Sequence, residues 1–236
     1  MVDMITKRKS CRSYTDAPLS EELIQKILAL EMKPLYPQIG VEIRVVSREH
    51  ISCICPFTTK QLIAVYAEKK DGYQENVGFM LQQMDLYLQK LGLGVCWLGL
   101  GKPDKVVKEL VPGKEFVILL TVGYPEGDAQ RKDLSDFKRK GLDEIADRED
   151  IRLENARLAP SACNSQPWYF VHEGEDIHIY WDQSGILKRA ILEYFNPMDV
   201  GIALAHLYLT YPETFSFRRE TGKECKNYKY MGTFHI

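Results

Sequence analysis

Residues 154–171 read ENARLAPSACNSQPWYFV, and this stretch is where a helical pattern runs into a strand. Helical spacing reaches about Ala159, Pro160 stops it, and Trp168 to Val171 begin an aromatic and β-branched run. Between them lie Ser161, Ala162, Asn164, Gln166 and Pro167, a small, polar loop framed by prolines. Small residues at 159, 161 and 162 let the backbone approach a flat ligand, while Asn164 and Gln166 can donate and accept at its polar edge. The same residues also suit a plain turn in which Asn164 caps and Pro167 holds Gln166 extended.

Working outward, the pattern predicts strands at 168–172 and 177–181, separated by the turn Glu173-Gly174. MDVGIALAHLYLT (198–210) is apolar almost all round, as buried helices are. Upstream, Ser20 caps a helix carrying Leu23, Ile24, Ile27 and Leu28 on one face. VEIRVV (41–46) alternates as a half-buried strand should, and QLIAVYA (61–67) is a second strand closed by the turn at Asp71-Gly72. From Glu75, apolar residues at 77, 80, 81, 84, 88 and 91 mark an amphipathic helix ended by Gly92. Pro103-Asp104 opens a short helix, and FVILLTVGY reads as a central strand. Residues 125–141 lose apolar periodicity and read as a surface connection. Helices and strands thus interleave, in an α/β or α+β arrangement.

NVGFMLQQMDLYLQKLGLG (76–94) and DVGIALAHLYLT (199–210) both set a polar residue and Val-Gly before a long apolar helix. This predicts a diverged internal duplication. The halves would pack as a pseudo-dimer with both long helices central and a ligand crevice between the halves.

Composition narrows the function classes. The chain has 236 residues, 45% apolar and 27% charged, enough for one large or two small domains with a real core. A net charge of -2 supplies no field for nucleic acid or an anionic membrane. No apolar run approaches the ~20 residues of a membrane helix, and MVDMITKRKS lacks a signal-peptide core, so a cytoplasmic location is expected. The six cysteines are scattered apart from Cys53 and Cys55, and no metal site is expected. GxSxG, HExxH and GxxxxGK[ST] are missing, and His206 reads as a core histidine. An enzyme without evident acid, base or nucleophile most simply borrows its reactivity from a cofactor.

Two further segments offer binding chemistry. Lys7, Arg8, Lys9, Ser10 and Arg12 put charge-assisted donors and a hydroxyl within six residues, suited to a phosphate unless the run is only a solvated tail. In GLGVCWLGLG (92–101), the N–H groups of Gly99, Leu100 or Gly101 can reach a ligand that side chains would block, although the segment also suits a helix cap leading into a strand.

On these segments the sequence resembles the FMN-dependent nitroreductase family. KRKSCRSYTDAPLSEELIQKIL is similar to its opening arginine-serine-arginine run and first helix. LGLGVCWLG is similar to its glycine loop, VILLTVGYPEG to its last strand and turn, and APSACNSQPWYF to its alanine-proline-serine loop. Ordinary members carry that loop soon after the first helix and build the flavin site between two chains. Here the loop comes late, which resembles a single-chain branch with two fused halves. The resemblance implies an α+β (α/β sandwich) fold, antiparallel or mixed sheets flanked by helices, with halves at 1–141 and 142–236 packed as one unit.

The resemblance also assigns residues. Arg8, Lys9 and Ser10 would hold the FMN phosphate, and Arg12 would lie near the ring's N1 and O2 edge and tune its potential. Arg139 and Lys140 resemble the late phosphate-binding pair, with Gly141 in place of the usual proline. Pro160, Ser161 and Ala162 would line the ring and ribityl chain with Asn164 and Gln166 nearby, and Gly99 and Leu100 would face N5 and O4. The implied activity passes hydride from NADH or NADPH through FMN to a nitro, quinone or related small organic acceptor. A non-catalytic flavin-binding or storage protein, or another flavin reaction, would keep the same motifs. The acceptor's pocket is expected around 33–40 and 183–196, and the protein would be a monomeric pseudo-dimer or a homodimer.

Overall fold

Two separate four-stranded sheets and a central pair of long helices organise the chain. The computed structural model describes residues 1–54, 57–183, 192–220 and 227–236, so Cys55, Cys225 and most of 183–196 lie outside the described residues. The first part holds α1 (Glu21–Leu28), β1 (Val41–Ser47), β2 (Ile51–Ser52), β3 (Gln61–Ala67) and α2 (Tyr73–Lys90). It continues through β4 (Gly94–Leu98), β5 (Lys102–Pro103), α3 (Lys105–Lys108) and β6 (Glu115–Gly123). The second part holds α4 (Leu142–Ile145), α5 (Glu154–Arg157), β7 (Trp168–Glu173), β8 (Asp176–Asp182), α6 (Asn196–Thr210), β9 (Ser216–Arg218) and β10 (Tyr228–His235).

The fold is α+β, with antiparallel sheets and helices. One sheet has the order β1-β3-β6-β4 and the other β7-β8-β10-β9, while β2 and β5 form a small ribbon. Counted within its own part, each large sheet runs first, second, fourth, third, with the long helix between its second and third strands. The two sheets therefore share one topology.

The long helices pack against each other, and two glycines decide how closely. A Cβ on Gly78 would stand 2.0 Å from the Met198 carbonyl oxygen, and one on Gly201 would stand 2.0 Å from that of Glu75. Each glycine thus meets the carbonyl three residues before the other. Any side chain there would push the helices apart.

Several expectations are corrected by this packing. β1 does not alternate: Ile43 and Val46 are its buried residues. The helix expected to reach Ala159 is the single turn α5 after a 3-10 turn. Gln166 is not extended before Pro167; its φ of 48° lies in the left-handed region, with Cys163 at 52° and Asn164 at 55°. Side-chain bonds hold it there, as the candidate site shows. The amphipathic reading of α2 also understates its burial, since Asn76, Gln82, Gln83, Asp85 and Gln89 are buried with its apolar face. They can be, because each finds a hydrogen bond. Gln83, for example, accepts from Lys33 N at 3.1 Å and donates to Lys33 O at 2.8 Å.

The segment 125–141 is irregular and largely exposed, yet it is anchored. Arg8 bridges Gln130, Tyr14 bridges Pro125, and Arg131 N donates to Lys7 O at 2.7 Å. These contacts tie it to the N-terminal basic run.

Candidate active site

A cavity of about 370 Å³ opens where the N-terminal run, the end of β4, the loop before β7 and the first turn of α6 converge. That size falls within the range of small-molecule sites. Arg8, Ser10 and Arg12 line it from one part of the chain, and Pro160, Ser161 and Ala162 from the other. Gly99 and Leu100 complete the rim, and Trp97, Ile118, Phe195 and Met198 make its walls mostly apolar. A Cβ on Gly99 would fall 2.9 Å from the Phe195 ring, so this edge tolerates only glycine without rearrangement.

Local bonding explains why each wall stands where it does. Ser10 bridges Val95 in parallel and Cys11 N donates to Val95 O at 3.0 Å, so the basic run lies along β4. Arg8 is buried; its Nε donates to Asp85 Oδ2 at 2.7 Å and its Nη2 to Ser10 Oγ at 3.2 Å. Asp85 also accepts from Gln89 Nε2 at 2.5 Å and from Trp97 Nε1 at 3.3 Å. The α2 carboxylate thereby orients the guanidinium at the cavity's edge.

The loop before β7 is braced from behind. Gln166 N donates to Ser161 Oγ at 2.9 Å, its Oε1 accepts from Lys140 N at 2.8 Å, and its Nε2 donates to Asn164 O at 3.1 Å. Arg139 donates to Ala159 O at 3.0 Å and to Asn164 Oδ1 at 2.5 Å. From α6, Asp199 Oδ1 accepts from Ala162 N at 3.0 Å.

Positive charge gathers at the Arg8 end. Arg139 is fixed by neutral oxygens, and burial, followed by Arg8, Arg131 and Arg157, lowers its pKa to about 10. Burial and Arg8 also lower Arg131, whose guanidinium stacks 4.1 Å from the Phe137 ring centre and donates to Arg8 O. Asp85 is the carboxylate bonded to Arg8, and Arg157 already pairs with Glu154. A bound anion would relieve this crowding.

Comparison with known proteins gives the family. The family model described as "Putative TM nitroreductase" matches residues 1–211. The chain belongs to this nitroreductase family. A structure of a putative nitroreductase from Thermotoga maritima is 22% identical, covers 99% of this chain and 91% of its own, and superposes with a TM-score of 0.66. A nitroreductase family protein from Clostridium difficile is 20% identical, covering 64% of this chain and 99% of its own at a TM-score of 0.51. A putative nitroreductase in complex with FMN, from Desulfovibrio desulfuricans, is 18% identical, covering 64% and 96% at a TM-score of 0.44. No curated protein matches.

Within this nitroreductase the sequence-predicted residues fall into two groups. Arg8, Ser10, Arg12, Gly99, Leu100, Pro160, Ser161 and Ala162 share the cavity wall. Lys9, Arg139, Lys140, Asn164 and Gln166 stand behind it: Lys9 is exposed, and Lys140 Nζ turns to Gln166 O at 3.4 Å. Asp85, Arg131 and Asp199 were missed. Their signal in the sequence is weak, a lone acid inside an apolar helix or one arginine in a polar connection.

Residues 33–40, expected to line the acceptor's pocket, are not among those lining the main cavity. Leu35, Tyr36 and Gln38 line a separate cleft with Asp71, Phe217 and Arg219. Tyr36 meets Phe217 edge-on at 5.7 Å and lies under Arg219 at 5.4 Å, while Arg219 pairs with Asp71 and Glu75 at 2.6 Å each. The loop before β1 is held by Asn76 of α2 and faces the end of β9, away from the main cavity. Phe195, from the other expected segment, does line the main cavity.

Proposed function

We propose that this protein is an FMN-dependent oxidoreductase that takes hydride from NADH or NADPH and delivers it to a nitro, quinone or related small organic acceptor. The observation that carries the reading is the shape of charge in the cavity. An apolar slot, edged by Gly99 and the Pro160–Ser161–Ala162 loop, runs to a cluster of guanidiniums whose direct counter-charge is Asp85. A flat ring with a phosphate tail matches both ends of that arrangement.

FMN, when bound, supplies a ring that accepts and returns hydride. The chain's residues do the rest. Arg8 and Ser10 would hold the phosphate, with Arg139 and the peripheral Lys9 and Lys140 adding positive field. Gly99, Leu100, Pro160, Ser161 and Ala162 would set the ring's plane, and Asn164 and Gln166 would keep that loop in shape. Arg12, exposed on the cavity edge, would stabilise negative charge on the reduced ring. Trp97, Phe195 and Met198 would exclude water from the slot.

We further propose that residues 1–141 and 142–236 are repeats fused in one chain. The shared strand order and the reciprocal glycine contacts support this. The cations lining the equivalent cleft around Tyr36, Arg218 and Arg219, are already paired with carboxylates, so one FMN per chain is expected.

The test is spectroscopic. Purified protein, or protein mixed with FMN, should be yellow with one flavin per chain, and anaerobic NADH or NADPH should bleach it. Colour without bleaching would leave a flavin-binding protein that is not an NAD(P)H oxidoreductase. Colourless protein that ignores FMN would overturn the reading.

A further inference from the structure

We propose that Asp199 is a positioning residue that clamps the cavity's proline-framed loop, by the same kind of side-chain-to-backbone bond with which Asn76 clamps the equivalent loop in the other part of the chain. Asp199 and Asn76 both stand two residues before a crossing glycine, Gly201 and Gly78. Asn76 Oδ1 accepts from Leu35 N at 2.8 Å and Tyr36 N at 2.9 Å, just ahead of β1. Asp199 Oδ1 accepts from Ala162 N at 3.0 Å, just ahead of β7. The long helix of each part therefore grips the loop of its own sheet.

The two clamps differ in chemistry. Asn76 is an amide whose Nδ2 donates to Ile39 O at 3.3 Å. Asp199 is 3% exposed, lines the cavity, and leaves Oδ2 buried without a hydrogen-bond partner. Ser165 Oγ is likewise buried and unpartnered. The first turn of α6 and the bond from Ala162 N favour a carboxylate, but burial outweighs both and raises the acid's pKa well above the usual range. The cavity's other titratable groups are Arg8, Arg12 and the thiols of Cys11, Cys96 and Cys163, and none bonds to it. Burial and the unpartnered Oδ2 favour the uncharged acid, which would do at this position what the amide does at position 76. A clamp without charge holds the loop beside the slot and sets no negative field against a ligand that gains electrons there.

The functional part of this inference rests on the proposed cofactor, so the test has an arm that does not. In ligand-free protein, Asp199→Ala should speed amide exchange at Ala162 roughly tenfold, the worth of about one hydrogen bond. Asp199→Asn should keep it near wild type, because the amide copies Asn76. An infrared band of a protonated carboxyl should be present in wild type at neutral pH and absent from Asp199→Asn. FMN affinity should follow the same order, about tenfold weaker in Asp199→Ala and little changed in Asp199→Asn. If Asp199→Ala does not fold, Asp199→Asn still decides. Free exchange of Ala162 in that variant overturns the clamp, and an ionised carboxyl in wild type overturns its neutrality. If no variant binds FMN while exchange behaves as stated, the cofactor reading falls and the clamp stands.

Discussion

Removing Asp85 should unsettle the protein far more than an ordinary substitution on a helix. The side chains of Arg8 and Asp85 are 4% and 0% exposed, so their 2.7 Å ion pair is sealed from water. Asp85→Ala strands the guanidinium, and it also frees the Gln89 amide at 2.5 Å and the Trp97 indole at 3.3 Å. Breaking one side of a buried pair costs roughly 3–5 kcal/mol, and an orphaned neutral donor adds about 1–3 kcal/mol unless water reaches it. Against a typical total of about 5–15 kcal/mol, the variant should unfold at a much lower urea concentration. The double variant Arg8→Met with Asp85→Leu removes both charges and should recover much of the loss. Urea unfolding followed by tryptophan fluorescence measures wild type and both variants. A loss under about 1 kcal/mol for Asp85→Ala, or a double variant no better than the single, would refute the sealed pair.

Two other outcomes follow from the core. Gly201→Ala should cost about 3 kcal/mol or more in urea unfolding, because its methyl would meet the Glu75 carbonyl at 2.0 Å and the obstacle is backbone; a loss under about 1 kcal/mol would contradict so close a crossing. His206 is buried, donates from Nδ1 to Asn155 O and accepts at Nε2 from Gln82 Nε2, and burial lowers its pKa to about 4. Its unfolded value is higher, near 6.5, so the stability it lends is complete above that pH and is lost as pH falls toward 4, by about 3 kcal/mol at most. His206→Gln should flatten that part of the pH–stability curve, and an unchanged slope would remove the residue from acid sensitivity.

Much of the architecture was legible because it is local. Ser20 caps α1, Gly92 ends α2 with a φ of 83°, and the runs at 61–67, 168–172 and 177–181 became β3, β7 and β8. The meeting of the basic run with the proline-framed loop was also anticipated. What escaped depends on partners far along the chain. Asp85 looks like a solvent-facing acid until Arg8, 77 residues away, is brought beside it. Gln83, Asn76 and Asp199 are similar: each is polar on a helix, and only tertiary contact turns it into a brace. Gln166 was misjudged because the rule for a residue before proline weighs local sterics, whereas Lys140, Asn164 and Ser161 hold it by hydrogen bonds.

Both walls of the main cavity belong to one covalent chain, residues 8–12 on one side and 160–163 on the other. Where such a pocket forms between separate subunits, dilution pulls it apart by mass action. Here the tether makes its assembly independent of protein concentration, so a scarce protein would keep as complete a pocket as an abundant one.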